Sequence, residues 1–438
     1  MPVHRFVVEK LFGSLRHEVE MHTEGLTFLF GLNGSGKTTT LNLLDAIFSR
    51  QFDTALRTPF GSLHITLVNG KQITVERDGI VNDRGHDDYI LRFLMDGMPT
   101  WQYHRSRPGR NSPAQYILRN YPNLRRIGPR VWSDRLTGRR LTLDDISEEY
   151  PDFPAELLGL ESIPGWLLEF IEEESTYFIR ADRLHGNSPN GDPQADSTSP
   201  GDDIPQTVES FAEDLAKKLN ESLANYGDFS QAKESSFPQR FLEEHRSGSA
   251  VELRETVQTR HAQQTALRSR YVAAGLLEPG QDFALPAEFD ADKVQFLSAY
   301  LDDVDAKLFQ LAGIAAKLEL FLDIINSKLR RKRIVVDRRL GFRIDADGSN
   351  LPLNALSSGE QQEIVLTYGL LFRETPGTLV LIDEPELSLH VAWQFQLVPD
   401  FVKIAQLAKL TFLVATHSPQ VVNGRDDITI YLNDGAKS

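Results

Sequence analysis

The sequence contains no cysteine among its 438 residues. This absence excludes a disulfide, a thiolate nucleophile and a cysteine-ligated zinc or iron–sulfur site. No apolar run approaches the roughly eighteen residues of a membrane span, and the start MPVHRFVVEK lacks the apolar core of a secretory signal. The eleven histidines show no HExxH or other metal-ligand spacing. We therefore expect a soluble, cytoplasmic protein without membrane contact.

Positive charge is the minority, because 47 lysines and arginines face 62 acidic residues, which gives a formal net charge of −15. Such a protein should repel nucleic acid and acidic membranes. Residues 101–140 are an exception, with ten arginines, no lysine and one acid, Asp134, so that this block carries +9 and the remainder −15 − 9 = −24. Aromatic residues are interleaved with the arginines: Trp101, Tyr103, Tyr116, Tyr121 and Trp132. Two interpretations stay open. The region from Arg105 to Arg140 contacts nucleic acid, or it pairs with an acidic surface of this protein or of a partner.

The first part of the chain alternates short apolar runs with turns, which predicts strands in RFVVEKLFG, GLTFLFG, SLHITLVNG and QITVERDG. The pair Asn69-Gly70 predicts a hairpin with a type I′ turn. Lys37 begins a predicted helix. Residues 81–184 form an arginine-rich insertion that ends in a connecting strand, STYFIRADRL. Residues 185–206 are rich in Pro, Gly, Asp and Ser, which predicts a flexible linker.

Residues 207–330 have a helical pattern, with apolar residues at alternating steps of three and four from Val294 to Leu329. This seam requires partner helices, and the apolar series from Val208 to Leu223 and the stretch from Glu252 to Leu277 are the candidates. A helical bundle is favoured over a projecting coiled coil. Beyond the seam, strands alternate with helices, which predicts an α/β fold with a mostly parallel sheet. Residues 1–80 and 331–438 are expected to form one domain.

The stretch from Gly31 to Thr38, GLNGSGKT, matches the phosphate-binding loop G-x-x-x-x-G-K-[ST] between a predicted strand and helix. Its glycines allow backbone N–H groups to converge on phosphate oxygens at a helix N-terminus. Lys37 can reach the β- and γ-phosphates of ATP, and Thr38 can ligate Mg²⁺. The predicted nucleotide-binding residues here are Asn33, Gly34, Ser35, Gly36, Lys37, Thr38 and Thr39.

Two carboxylates, Asp383 and Glu384, end the apolar run TLVLI. Asp383 is expected to hold Mg²⁺ through water, and Glu384 to polarise the attacking water as a catalytic base. A further apolar run, LTFLVATHS, leads to His417, which is expected to sense the γ-phosphate as a second catalytic residue.

Three motifs in the same chain resemble those of ABC-type ATPases. LSSGEQQ, Leu356 to Gln362, resembles the signature motif, IDEPELSLH resembles the Walker B motif with the D-loop, and ATHSP resembles the switch histidine. The resemblance implies an ABC-ATPase-type P-loop head with a mixed sheet and a helical insertion. It also implies a homodimer, or a higher homo-oligomer, in which two ATP molecules lie between the P-loop of one copy and the signature motif of another. The signature residues expected at the nucleotide are Ser357, Ser358, Gly359 and Glu360.

Within that family the motifs are most similar to soluble ATPases related to the OLD group, which serve anti-phage systems such as PARIS, Septu and some retrons. The resemblance implies an ATP-hydrolysing switch that holds or activates a separate effector, a nuclease or Toprim-like protein. His390 fits this branch better than transporters, which usually have aspartate there. Because only 21 residues follow His417, no Toprim domain is expected in this chain.

Some family positions have only weak candidates. Arg180, Asp182 and Arg183 are candidates for the Q-loop region, and Phe12 for stacking on adenine. A RecF- or SMC-like DNA-binding ATPase for repair is the alternative function, although the helical insertion is short for an SMC-like clamp. A transporter ATPase fits least well.

Overall fold

The computed structural model describes residues 3–81, 87–104, 113–126, 131–134, 140–142, 145–146, 149–150, 152, 163–180, 208–243, 250–280, 284–285, 291–388 and 391–432. The predicted linker at 185–206 lies outside these residues. The chain divides into two compact units, one of Met1–Ile204 with Thr375–Ser438 and one of Pro205–Glu374. The signature motif therefore belongs to the second unit. The sequence-based domain boundaries, which join 331–438 to the first eighty residues, stay a prediction.

A parallel sheet forms the centre of the first unit. Its strands are β3 (Leu26–Phe30), β11 (Thr176–Ile179), β15 (Leu379–Asp383), β16 (Thr411–Thr416) and β17 (Thr429–Tyr431), in the order β11-β15-β16-β3-β17. Every neighbouring pair in this sheet is parallel. The strands are almost continuously apolar because both faces are covered, as parallel sheets require. The predicted α/β fold with a parallel sheet is confirmed.

Helices cover this sheet on its two faces. Helix α1 (Lys37–Phe48) contributes Leu43 and Ile47 to the same buried cluster as Leu381 and Leu413 of the sheet. From the other side the ring of Phe401 stacks on Phe412, with centroids 4.9 Å apart. The remaining helices of this unit are α2 (Phe52–Arg57), α3 (Pro113–Asn120), α4 (Gly165–Glu172), α9 (Val391–Ala408) and α10 (Pro419–Val422).

An antiparallel sheet packs into the same core. It comprises β1 (Val3–Leu11), β2 (Leu15–Glu20), β4 (Ser62–Leu67), β5 (Gln72–Val81), β6 (Asp87–Leu94) and β7 (Trp101–His104), in the order β2-β1-β4-β5-β6-β7. The predicted hairpin between β4 and β5 is confirmed. Its turn is not type I′, because Gly70 has a positive φ of 86° and Asn69 does not. Instead the Asn69 side chain accepts a hydrogen bond from the Lys71 N–H, at 3.0 Å.

Part of the arginine-rich insertion forms a small sheet of β8 (Leu124–Arg126), β9 (Val131–Asp134) and β10 (Arg140–Thr142). Trp132 is fully buried there with Ile117 of α3 and Leu141. These residues form a separate apolar cluster. At least two of the aromatic residues interleaved with the arginines, Trp132 and Tyr121, therefore pack in this cluster.

Three long helices build much of the second unit: α5 (Val208–Glu243), α6 (Ala250–Ala273) and α7 (Ala291–Lys328). Helices α5 and α6 both pack on α7. The predicted seam is buried along α7, for example at Leu301, Leu311 and Leu318. This arrangement agrees with the favoured bundle. The unit also contains β12 (Arg333–Asp337), β13 (Gly341–Ala346), β14 (Ser349–Leu351) and α8 (Ser358–Tyr368).

Throughout the described ranges, no helix combines the length and the apolar character needed to cross a membrane.

Candidate active site

Three neighbouring strands end at one edge of the parallel sheet. β15, β16 and β3 are adjacent in the sheet and run in the same direction, so the segments that follow them meet there. These segments are the glycine-rich loop after β3, His417 after β16, and Glu384 after β15. The tertiary fold thus brings the glycine-rich loop together with two segments that lie more than three hundred residues further along the chain.

The glycine-rich loop depends on backbone conformations that favour glycine. Gly34 and Gly36 have φ values of 88° and 86°. A Cβ on Gly36 would also lie 2.8 Å from Cδ2 of Leu11, so a side chain has no room there. Helix α1 begins directly afterwards at Lys37, so its free N–H groups and positive dipole end face the loop. The loop has the form of a phosphate cradle.

Lys37 is held inside the loop by backbone carbonyls. Its Nζ donates to the carbonyl oxygens of Gly31 at 2.8 Å and Leu32 at 3.0 Å, and the residue is only 4% exposed. Nearby, the buried Ser35 Oγ has no hydrogen-bond partner among the described residues. A buried ammonium and an unpaired hydroxyl are donors that suit phosphate oxygens, so the loop fits the polyphosphate of ATP.

Thr38 and Asp383 meet across the site. Thr38 Oγ1 donates to both carboxylate oxygens of Asp383, at 2.9 and 2.8 Å. Burial raises the pKa of Asp383 and Glu384 acts in the same direction, while the hydrogen bond from Thr38 and the charge of Lys37 lower it. A hydroxyl and a carboxylate at this spacing are oxygen ligands of the kind that Mg²⁺ prefers.

Glu384 has a strained backbone at the mouth of the site. Its φ of 47° is unusual for a residue other than glycine, and its N–H donates to the Ala415 carbonyl at 2.9 Å. Such strain persists where the surrounding structure over-determines it, often at functional positions. The hydrogen bond to the β16 backbone holds the main chain of Glu384 in place at the end of β15.

His417 lies between two carboxylates. Its Nδ1 is 3.4 Å from Oε1 of Glu384 and 3.3 Å from Oε1 of Glu386. Its backbone N–H donates to the same Glu386 oxygen at 3.0 Å, as does the Thr416 hydroxyl at 2.6 Å. Glu386 is only 7% exposed. This buried carboxylate therefore anchors the end of β16, a role that no sequence pattern indicated.

A cavity of about 410 Å³ lies beside Lys37, Thr38 and Glu384. Its lining residues are Phe12, Asn33, Gly34, Gly36, Lys37, Thr38, Thr39 and Glu384. Phe12 is 52% exposed and has a positive φ of 51°. An exposed aromatic ring beside a phosphate cradle is suited to stacking on a base. The lining thus includes Phe12 together with most of the predicted P-loop residues.

The signature motif begins helix α8 in the second unit. Ser357 is the N-cap of this helix, and its side chain and that of Glu360 form a capping box. Ser357 and Ser358 are exposed. Exposed hydroxyls at a helix N-terminus are accessible donors for an anion. The assignment of Ser357, Ser358, Gly359 and Glu360 to a nucleotide stays a prediction.

The other predicted residues either lie outside the cavity lining or fall outside the described residues. Arg180 places its guanidinium 5.3 Å from the ring centroid of Phe178, which gives no contact with the cavity lining. Asp182, Arg183 and His390 lie outside the described residues. In the arginine-rich block, Arg119 and Arg125 are exposed, and no ion pair involves either of them in the described part of the chain.

A family model described as "AAA domain, putative AbiEii toxin, Type IV TA system" matches residues 200–423, just over half of the chain. The chain belongs to this family. Over 100 residues the chain is 34% identical to the retron Ec83 probable ATPase of Escherichia coli. That match covers 20% of this chain and spans 18% of the length of the relative. The predicted relationship to AAA-like ATPases is confirmed by the family match, and a retron-associated ATPase is among the similar proteins.

Two solved structures are similar to this chain at lower sequence identity than the retron relative. An SMC head bound to the C-winged helix domain of ScpA is 13% identical, with a TM-score of 0.34, and the alignment covers 99% of this chain and 95% of that one. The SMC head domain from Thermotoga maritima is 11% identical, with a TM-score of 0.32 and coverage of 97% and 92%.

Proposed function

We propose that this family member binds and hydrolyses ATP as a switch subunit of an anti-phage defence system. The observation that carries the proposal is the meeting of Lys37, the Thr38–Asp383 pair and Glu384 around one cavity. Together they provide a phosphate cradle, a cation site and a carboxylate at the cavity wall. Each of these is a separate requirement of phosphoryl transfer to water.

In this proposal Lys37 exchanges its two carbonyl partners for the β- and γ-phosphates of ATP. The backbone N–H groups of the loop and the first turn of α1 bind the same phosphates. Thr38 and Asp383 would hold Mg²⁺, which neutralises charge on the phosphate oxygens. Glu384 orients the attacking water and accepts its proton. His417, held by Glu386, lies beside Glu384 and responds to the γ-phosphate.

The second part of the proposal is an ATP sandwich between two copies. Ser357, with Ser358 and Gly359, would donate to the γ-phosphate bound by the P-loop of the other copy. The exposure of the two serines at the start of α8 supports this role. Hydrolysis removes the phosphate that both copies contact, so the interface weakens after each turnover.

Glu384→Gln tests the hydrolysis step. The isosteric amide cannot accept the proton, so turnover should fall about 10²- to 10⁴-fold while ATP binding persists. The variant should also accumulate an ATP-dependent dimer in light scattering. Asp427→Asn, which also changes a carboxylate to an amide but at an exposed residue, is the matched control. A normal turnover rate in Glu384→Gln would remove Glu384 from its proposed role.

Mixing two inactive variants tests the shared site. Lys37→Ala destroys the P-loop and Ser357→Ala destroys the signature, but a mixed dimer has one complete site. Activity should return to at most about one quarter of the wild-type rate, because half of the dimers are mixed and each has one good site of two. No recovery, with mixed dimers demonstrated by tags, would contradict the sandwich.

The defence role rests on the relationship to the retron ATPase. We propose that the ATP-bound assembly holds or activates a separate effector, a nuclease or Toprim-like protein. Coexpression with the neighbouring reading frame in a phage-sensitive host should reduce plaque number, and Lys37→Ala should abolish the protection. Unchanged plaque numbers beside a neighbouring recombination gene would favour the repair alternative.

Nucleic-acid binding is a second candidate function, favoured by the exposed Arg119 and Arg125. Both are free of ion pairs within the described ranges, which leaves their guanidinium groups accessible to phosphates. Each arginine that contacts a phosphate should contribute about one unit to the slope of log affinity against log salt. We expect Arg119→Ala and Arg125→Ala to lower that slope for a DNA duplex, and Arg57→Ala on α2 to leave it unchanged.

A further inference from the structure

Glu360 is the acceptor for three donors at the start of the signature helix. Its Oε2 accepts hydrogen bonds from the backbone N–H of Ser357, from the Ser357 hydroxyl and from Lys332 Nζ, each at 2.8 Å. The side chains of Lys332 and Glu360 are only 19% and 13% exposed. Lys332 lies in the short connection between α7 and β12, so elements outside the signature helix position its ammonium.

This carboxylate occupies a position that suits a phosphate. The N-terminus of α8 favours an anion through its dipole and free N–H groups, and Glu360 already serves as that anion. Burial acts to raise the pKa of Glu360, but the hydrogen bonds from Lys332 and Ser357 outweigh it and hold the pKa below its usual range. Glu360 is therefore ionised, and the Ser357 hydroxyl is already engaged as a donor.

We propose that Glu360 competes with the γ-phosphate of ATP for the donors of Ser357, and that Lys332 is the positioning residue that sets the outcome. This inference rests on the proposed ATP sandwich. When the γ-phosphate takes over the Ser357 hydroxyl, Glu360 must release it and remain beside a second anion. Lys332 neutralises Glu360 in that state. Without Lys332, two uncompensated negative charges would face each other.

The competition predicts opposite effects for the two residues. Glu360→Gln keeps an acceptor for the Ser357 N–H but removes the negative charge, so less ATP should be needed for dimer formation. Lys332→Met removes the neutralising cation and should raise the ATP concentration at half-maximal dimer formation. We expect each shift to be at least about fivefold, the lower range of measured coupling between sites.

The experiment uses the full chain in the Glu384→Gln background and follows dimer formation by light scattering during an ATP titration. The double variant Lys332→Met with Glu360→Gln should need as little ATP as Glu360→Gln alone, because Lys332 acts only through Glu360. Lys332→Arg, which keeps the charge, should have the same midpoint as the Glu384→Gln parent. Arg333→Gln is the matched control, since it removes the next cation along the chain, which pairs with Asp345 instead.

ADP provides the readout that a purely structural defect would not reproduce. The affinity of the protein for ADP should be unchanged in every variant, because ADP has no γ-phosphate to compete with Glu360. A double variant as impaired as Lys332→Met would overturn the inference by indicating that Lys332 binds phosphate directly. Midpoints within twofold of the Glu384→Gln parent would also overturn it while leaving the sandwich intact. If the Glu384→Gln parent itself forms no ATP-dependent dimer, the sandwich falls, and this inference falls with it.

Discussion

The hydroxyl of Thr38 donates to Asp383 Oδ2 at 2.8 Å, although 345 positions separate the two residues in the chain. The contact joins the second residue of α1 to the last residue of β15. In the sheet, β16 lies between β15 and β3, the strand that leads into the loop before α1. Because parallel pairing sets the register of all three strands, the Thr38 and Asp383 oxygens are held in place, as the proposed Mg²⁺ site requires. Preorganised oxygen ligands lose less entropy on binding.

Asp383→Asn should weaken the apparent Mg²⁺ affinity about 10- to 100-fold, the usual effect of losing a partner that acts on a metal through water. The amide keeps the size of the side chain and can still accept from Thr38, so the fold should remain. A Mg²⁺ titration of fluorescent nucleotide binding measures the change. Asp426→Asn, on an exposed helical turn of the same unit, is the control. Equal Mg²⁺ affinity in Asp383→Asn and wild type would exclude Asp383 as a cation partner.

Phe12→Ala should lower the affinity for ATP and ADP alike, by about tenfold, because a stacked base contributes roughly 1–3 kcal/mol. Phe12→Trp should retain the affinity, since the larger ring also stacks. Inorganic triphosphate, which has no base, should bind both variants as it binds the wild type. Calorimetric titration of the three ligands separates these cases. A matching loss for triphosphate would mean that Phe12 supports the loop rather than the adenine.

Glu174 should make stability depend on pH. The residue is 4% exposed and accepts from the Val3 N–H at 3.0 Å, and burial raises its pKa to about 8. Between the unfolded pKa of about 4.5 and about 8, the folded state holds a proton that the unfolded state has lost. The stabilisation is therefore complete below about pH 4.5 and declines as pH rises towards 8, by at most about 1.4 kcal/mol per pH unit.

Glu174→Gln, which is neutral at every pH and keeps an acceptor for Val3, should abolish this decline. Urea unfolding at pH 6, 7 and 8 measures it, and the variant should exceed the wild type most at pH 8. Glu172→Gln, at the exposed C-terminal end of α4 and two residues before Glu174, serves as control. If the wild-type free energy of unfolding rose from pH 6 to pH 8 relative to Glu174→Gln, the assigned sign would be wrong.

Lys328 and Glu363 form a buried ion pair between the end of α7 and helix α8, with side chains 4% and 6% exposed. Lys328→Met should destabilise the protein by about 3–5 kcal/mol, because it leaves the buried Glu363 carboxylate without its counter-ion. The double variant with Glu363→Leu should recover most of that loss, because two apolar side chains leave no unpaired charge. Denaturant unfolding measures both. Arg333→Gln, which breaks a more exposed pair, should cost no more than about 1 kcal/mol.

Elements with a strong local pattern were predictable. The strand before Gly31, the helix from Lys37 and the buried seam of α7 depend on apolar periodicity and on glycine conformations that neighbouring residues dictate. The Asn69-Gly70 hairpin followed from the same rules. Its turn type did not, because Asn69 found a side-chain hydrogen bond to Lys71 that competes with a positive φ.

The sequence by itself determined the chemical inventory: a glycine-rich loop with Lys37, a pair of strand-ending carboxylates, a histidine and the LSSGEQQ segment, each recognisable within ten residues. Only the tertiary structure decided which distant side chains meet. Glu386 anchors His417, Glu174 is buried against β1, and Lys332 meets Glu360, through contacts that span from 28 to 171 residues. Such contacts depend on strand order and helix packing, which sum over the whole chain, so no local stretch of sequence encodes them.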